Sequence, residues 1–315
     1  MNLYLIDGNS YFYRAFHAIR GLTNSKGFPT NAIYGFTNMI LKIIREKKPD
    51  AIAIAFDSPA PTERHRIYEE YKAQRPETPN DLIVQIPHIK EIIRAFNIAA
   101  FEMPGYEADD IICTIAKKAA SQNINVFILS GDKDMMQVVG NGIKIYDPMK
   151  DLIIDENHVK ERFGVPPERL PEIMAITGDT IDNIPGVKGI GEKTAKELLS
   201  KTGSLDELLI HPEKIESERI RKMIIDNIEN IKISKTLATI DTNIPIDISL
   251  QDMIVTEPDW SSLLRMFTEF EFKSLIKLIP SGGYKPRGEY RTIKDKDELM
   301  KALGFTITSK SFDKP

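Results

Sequence analysis

Residues 3–10 read Leu3-Tyr4-Leu5-Ile6-Asp7-Gly8-Asn9-Ser10. Four apolar, β-favouring positions end abruptly on an acid and a glycine, the form of a buried strand that delivers a carboxylate at its carboxyl end. The form returns twice. Ala51–Phe56 runs into Asp57, and Val126–Leu129 is followed by Asp132 within the string LSGDKD. A fourth apolar run covers Ile143–Tyr146. Between these runs, Ala32–Glu46, Asp81–Phe96 and Glu107–Ala120 carry apolar residues near helical spacing. Strands alternating with helices of this length predict an α/β architecture, a mostly parallel sheet flanked by helices on both faces. Asp151–Asp155, just after the turn-like Asp147-Pro148, is expected to close a small hairpin.

From Pro166 onward the pattern is wholly helical, with Gly- and Pro-containing connections. Pro185–Gly191 is the most turn-rich piece and precedes a helical pattern over Glu192–Leu199. The expected organisation is a core over 1–176, a helical region over 177–280, and a linker with the start of a further segment over 281–315, opening with PSGGYKPRG at Pro280–Gly288.

With 315 residues, of which 42% are hydrophobic and 28% charged, the chain falls among ordinary globular proteins, not disordered or fibrous ones. Its longest purely apolar run, the six residues Ala51–Phe56, is far short of the roughly 18 needed to span a bilayer, so no membrane partner is expected. The opening MNLYLIDGNS lacks the basic segment and apolar region of a signal peptide, and the single cysteine, Cys113, excludes an internal disulfide and a cysteine-rich zinc site. A cytoplasmic location is the simplest expectation. The net charge of -4 gives no basic footprint for a polyanion, and a mixed, solvated surface is the ordinary reading of such a balance. The signs are nonetheless segregated: basic residues collect at Arg64, Arg66, Lys72 and Arg75 and again over Lys188–Lys201.

The acids carry the chemistry. In an open parallel sheet the ligand site lies beyond the carboxyl ends of the strands, so Asp7, Asp57 and Asp132 are expected on one rim. Any one of them alone reads as a helix N-cap; three together weaken that account. The segment GYEADDI adds Glu107, Asp109 and Asp110 at a helix start, more charge than the helix dipole accounts for. Asp134 lies two residues beyond Asp132, and GDTIDNIPG supplies Asp179 and Asp182. Nine carboxylates without histidine or cysteine suit magnesium or manganese rather than zinc. Their number suggests two divalent ions arranged for in-line displacement at a phosphodiester.

In this order, LIDGNSYFYRAFHA (5–18), FDSPAPTERHRIYEEYKAQRPETP (56–79), PGYEADDI (104–111), SGDKDMMQ (130–137) and GDTIDNIPGVKGIGEKTA (178–195) resemble the 5' nuclease domain of bacterial DNA polymerase I. That domain is grouped with the flap endonucleases and has a PIN-like sheet. The likeness covers roughly residues 1–280, and YRTIKDKDELMKAL over Tyr290–Leu303 is similar to the opening of the proofreading domain that follows it. The resemblance implies a structure-selective 5'-3' exonuclease and flap endonuclease acting on DNA flaps, nicks and 5' ends. RNA primers are implied as a further substrate, and a polymerase in cis or in trans as a partner. It places Asp7, Asp57, Glu107, Asp109, Asp110 and Asp132 around a first metal and Asp134, Asp179 and Asp182 around a second.

The resemblance further implies a helical arch near 58–80, with Lys72 and Arg75 as its catalytic basic pair, Tyr68 or Tyr71 stacking on an unpaired base, and Arg14 on a phosphate. The Gly186-Val187-Lys188-Gly189-Ile190-Gly191 turn reads as a helix-hairpin-helix whose glycines bring the backbone close to duplex phosphates, with Lys188 and Lys193 beside them. In the family such a hairpin also binds potassium. Two rival readings stay open: a PIN-like ribonuclease acting on RNA, and a non-catalytic branched-DNA-binding protein whose acids are structural caps.

Overall fold

The computed structural model describes residues 1–148 and 150–280. Among these residues six strands form one sheet: β1 (Asn2–Asp7), β2 (Ala51–Phe56), β3 (Ala99–Glu102), β4 (Asn125–Leu129), β5 (Ile143–Asp147) and β6 (Leu152–Ile154), in the order β3-β2-β1-β4-β5-β6. The first five are parallel and β6 pairs antiparallel with β5, so the expected hairpin is present. The chain runs outward from β1 through β2 to β3, then returns to the other flank of β1 for β4. That reversal opens a crevice at the carboxyl ends of β1 and β4.

The run AIAIAF at β2 is buried at all six positions, yet its faces differ. Ala51, Ala53 and Ala55 join Leu3, Leu5, Val126 and Ile128 on one side of the sheet. Ile52, Ile54 and Phe56 join Tyr4 and Ile6 on the other, as the period of two requires. The small face admits α6 (Ala108–Ala120). The large face packs on α1 (Gly8–Ala18), α2 (Asn31–Lys47) and α5 (Ile86–Ala95).

The expected helix over Asp81–Phe96 is two helices, α4 (Asn80–Ile83) and α5. Pro87 explains the break, because it has no N–H to continue the ladder and is tolerated only in a first turn. Strand β3 was not foreseen; its sequence AAFE alternates half-buried and exposed positions and contains no β-branched residue. The arch over 58–80 contains a single short helix, α3 (Glu63–Ile67), followed by turns. The expectation of a helical arch is thereby corrected, and its cause lies in the site described below.

After α7 (Glu156–Phe163) come α8 (Leu170–Thr177), α9 (Glu192–Thr202), α10 (Leu205–Ile210), α11 (Glu218–Ile225) and α12 (Ile228–Ala238). Their apolar residues, among them Ile173, Ala195, Leu199 and Ile231, are continuous with the α6 side of the sheet core. The last helices, α13 (Trp260–Glu269) and α14 (Lys273–Ile276), leave this region. Phe267, Phe270 and Phe272 pack with Ile89, Ile92 and Ile93 on the opposite face of the sheet, and the Asp259 N–H donates to the Ala95 carbonyl at 2.7 Å. Within the expected helical region over 177–280, the helices from Trp260 onward thus pack on the sheet core rather than on α8–α12. Among the described residues no helix is long and apolar enough to cross a membrane. The linker and proofreading-like segment expected over 281–315 lie outside the described residues.

Candidate active site

An open cavity of about 710 Å³ lies at the carboxyl ends of the central strands. Eight of the nine expected acids line it: Asp7, Asp57, Glu107, Asp109, Asp132, Asp134, Asp179 and Asp182. Asp7 ends β1 and caps α1, accepting from the Ser10 N–H at 2.9 Å and from Ser130 Oγ at 2.9 Å. Asp57 follows β2 and accepts from the Ala108 N–H at 2.8 Å, which ties that strand to the start of α6. Asp132 Oδ1 accepts from the Asp134 N–H at 2.9 Å in the loop after β4. Asp179 Oδ1 accepts from the Ile181 and Asp182 N–H groups at 2.7 and 3.2 Å, closing the turn between the helical region and the cavity.

The ninth acid is set apart. Asp110 takes a bidentate fork from Arg64, at 2.8 and 2.9 Å, and also accepts from the backbone N–H groups of Glu107 and Asp241. Arg64, itself buried, reaches Glu107 at 2.9 Å and the carbonyls of Leu237 and Thr239. Asp110 thus braces α6 against the chain after α12, and in this arrangement it does not line the cavity. Each of its oxygens accepts one bond from Arg64 and one from a backbone N–H.

Lys72 and Arg75 do line the cavity, but bound to its acids. Lys72 Nζ lies 2.7 Å from Glu107 and 3.8 Å from Asp182, and Arg75 Nη2 lies 2.5 Å from Asp182. Lys133 pairs with Asp179 at 2.7 Å. Among the described residues no three carboxylates stand grouped to hold one ion as they are, with Lys72 lying between Glu107 and Asp182. The arch segment makes further contacts to the same acids. Tyr71 is buried and its hydroxyl donates to Glu107 and Asp182 at 3.1 and 3.4 Å, so the stacking expected of it does not occur in this arrangement. The Lys72 N–H donates to the Asp182 carbonyl at 3.0 Å, with Lys72 in the left-handed region at φ 58°, a conformation incompatible with a continuous helix. Tyr68 stays half-buried, its hydroxyl on Glu70.

Burial raises the pKa of several of these acids, because it disfavours the charged form. Asp7 is pushed up to about 6, against the opposing bond from Ser10. Burial also raises Asp57, Asp109 and Asp132. Asp134 is pushed up to about 8, by burial and then by the neighbouring Asp132 charge, and its Oδ1 is buried with no hydrogen-bond partner among the described residues. Asp179 behaves differently: burial pushes upward, but Lys133 and two backbone N–H groups hold it below the usual range. For Lys72, burial opposes the charge, and Glu107, Asp109 and Asp182 outweigh it.

Other residues at the site were not foreseen. Asn9, Ser10, Tyr13, Lys133, Lys150, Ile181 and Arg162 all line the cavity. Tyr13 carried a sequence signal, since it lies between the expected Asp7 and Arg14, and its hydroxyl bonds Thr78 Oγ1 at 2.5 Å at the far end of the arch segment. Arg14 stands behind the cavity wall: its Nη1 is buried without a partner among the described residues, and its Nη2 would lie 2.8 Å from a Cβ on Gly131.

The expected hairpin joins α8 to α9. A Cβ on Gly186 would meet the Gly178 nitrogen at 2.2 Å, so this glycine serves backbone packing inside the protein. Gly191, by contrast, has open space where a Cβ would point, and Lys188 and Lys193 are exposed beside it.

Residues 2–164 match the family described as 5'-3' exonuclease, N-terminal resolvase-like domain, and residues 165–261 match its C-terminal SAM fold. A 5'-3' exonuclease of Aquifex aeolicus is 42% identical over 277 residues, covering 87% of this chain and 94% of the relative. The chain belongs to the 5'-3' exonuclease family. As such it is a nuclease that hydrolyses phosphodiester bonds. DNA polymerase I of Caldicellulosiruptor bescii is also 42% identical, covering 88% of this chain, but the match spans only 33% of that relative's length. Among solved structures, the T5 D15 protein co-crystallized with metal ions aligns with a TM-score of 0.67 at 19% identity, covering 77% of this exonuclease and 90% of that chain. The catalytic core of Rad2 in complex with DNA substrate aligns with a TM-score of 0.61 at 17% identity, covering 88% and 92%. At these identities the structural likeness is one of fold.

Proposed function

We propose that this exonuclease is a divalent-metal-dependent enzyme that cuts DNA at 5' ends, nicks and 5' flaps. The observation that carries the reading is the convergence of eight carboxylates from five chain segments on one cavity, beside Lys72 and Arg75. The donors fit the ions: all are hard oxygens, five are held above their ordinary pKa by burial, and Asp134 Oδ1 lacks any partner among the described residues. Asp7, Asp57, Glu107, Asp109 and Asp132 would hold a first magnesium or manganese ion, and Asp134, Asp179 and Asp182 a second. Bound there, such ions supply Lewis-acid activation of water and charge neutralisation at the leaving oxygen.

The chain's own residues do the rest. Lys72 and Arg75 are long, flexible cations that bind the acids here and can turn to an entering phosphate, where their charge stabilises the transition state. Arg64 keeps Asp110 and Glu107 in place beneath them. Arg14, with an unused donor behind Gly131, supports a second phosphate contact. The hairpin at Gly186–Gly191, with Lys188 and Lys193, binds duplex backbone without reading bases, and its carbonyls offer oxygen ligands for potassium. RNA primers fit the same chemistry, and a polymerase in cis or in trans is the natural supplier of the flap.

The test is a labelled 5'-flap duplex with DNA or RNA in the flap, incubated with and without magnesium. Cleavage near the junction only with metal is expected. Metal-independent cleavage, or binding of the flap without any cleavage under magnesium, would overturn the reading.

A further inference from the structure

We propose that Arg162, on α7, is a DNA-backbone contact that bridges the catalytic cavity and the hairpin, a proposal that rests on the DNA-cleaving reading above. Among the described residues five cations line the cavity: Lys72, Arg75, Lys133, Lys150 and Arg162. Four of them are paired with acids: Lys72 with Glu107, Arg75 with Asp182, Lys133 with Asp179, and Lys150 with Asp147 at 3.7 Å. Arg162 is the exception. It is exposed, and its guanidinium makes no ion pair among the described residues although eight carboxylates line the same space.

Its side chain lies instead against a ring. The guanidinium carbon sits 4.8 Å from the centre of the Phe163 ring, and Phe163 is buried in the main core. Lys196 Nζ lies 5.5 Å from the same ring and donates to the Arg162 carbonyl. Lys196 belongs to α9, whose N-cap is Gly191 of the hairpin. The ring meets the Arg162 side chain and the Lys196 bond meets its backbone, so Arg162 stands between the cavity it lines and the helix that carries the hairpin.

A guanidinium held by an aromatic face keeps its fork of donors free for an anion, and little side-chain freedom is lost when that anion arrives. The matching anion is a phosphate of the duplex strand that passes from the hairpin to the cavity. A phosphodiester accepts the fork in the way a carboxylate does. The motif-borne cations Lys72 and Arg75 are spent on the cavity acids until substrate or metal displaces them. Arg162 is available beforehand, which suits a residue that aligns the duplex before the reacting phosphate is seated.

The experiment measures binding of a 5'-flap duplex in calcium across 50–200 mM salt for the parent, R162M and R162K. Methionine keeps an apolar stem on Phe163 and removes the charge; lysine keeps the charge. Each lost duplex phosphate contact lowers the salt slope by about 0.9, so the parent's advantage over R162M should shrink roughly 3.5-fold across this range. R162K should retain the parental slope. In single-turnover cleavage under magnesium, R162M should raise the half-saturating protein concentration more than it lowers the saturated rate. Should R162M fail to fold, R162Q carries the same comparison. An R162M or R162Q slope equal to the parent's sinks the proposal, as does an equal loss of slope in R162K, which would mean packing and not charge. If the parent itself does not bind the flap duplex, the functional reading fails and takes this one with it.

Discussion

Replacing Arg64 by methionine tests the bracing role of Asp110 most directly. Arg64 gives bonds of 2.8–2.9 Å to Asp110 and Glu107, and both acids are at most 5% exposed. Methionine preserves much of the volume but leaves these charges facing one another, with Lys72 on Glu107 the nearest remaining compensation. Removing one partner from a buried pair costs about 3–5 kcal/mol, since the other charge stays desolvated. At about 2 °C per kcal/mol for a chain of this size, the unfolding midpoint should fall by roughly 6–10 °C. The exposed pair Lys232–Glu229 is the control, and Lys232→Met should change stability by less than about 1 kcal/mol.

Asp110→Asn in the Arg64→Met background removes the orphaned charge while keeping an acceptor for the Asp241 N–H, so part of the loss should return. A coupling above about 1 kcal/mol is expected between the two positions. Thermal unfolding followed by circular dichroism, without divalent ions, reads the parent, Arg64→Met, Asp110→Asn, their double and the Lys232→Met control. If Arg64→Met melts within about 2 °C of the parent, or the pair shows no coupling, Asp110 is not the structural brace described here. Isothermal titration adds a second readout: Asp110→Asn should bind manganese as the parent does, because Asp110 does not line the cavity.

Three further outcomes follow from the site. Asp132→Asn should nearly abolish cleavage while calcium-supported flap binding persists, and Lys72→Ala should lower single-turnover cleavage on the order of 100-fold with a much smaller change in affinity; failure of both variants in binding alone contradicts the assignment. Gly191→Val should fold as the parent does, since a Cβ there meets nothing within 4 Å, yet weaken duplex binding more than single-strand binding; Gly189→Val should also lose stability, because its φ of 92° is strained for any side chain, and thermal unfolding separates the two. Without divalent ions, stability should fall as pH rises from about 4 to about 8: Asp7 at about 6 and Asp134 at about 8 keep protons in the folded state that the unfolded chain has already lost, so the folded state binds more protons throughout that window. A melting temperature that is flat or rising over this range contradicts it.

The strand ends were legible because a fully buried parallel strand leaves a continuous apolar run, and whatever polar residue closes it stands at the sheet's rim; Asp7, Asp57 and Asp132 followed from that alone. Asp109 and Asp110 could not be told apart in the same way. They are adjacent in one helical turn, and which of them faces the cavity depends on where Arg64 arrives from an earlier segment. Strand β3 and the return of α13 and α14 to the sheet were hidden for a similar reason, since their apolar residues acquire meaning only from the partner they meet. Arg162 gave no signal because a lone arginine near a helix end is commonplace until the cavity places it.

The arch failed for an electrostatic reason. A cavity holding this many buried carboxylates is compensated by whatever cations are within reach, and here those are Lys72, Arg75 and Lys133. The Lys72 and Arg75 pairs with Glu107 and Asp182 accompany turns over residues 68–75 in which Lys72 lies in the left-handed region. Any divalent ion entering the cavity competes for the same oxygens. On the proposed reading, the cations it displaces would be the ones that meet the entering phosphate, which would make the conformation of the arch and the occupancy of the acids one equilibrium.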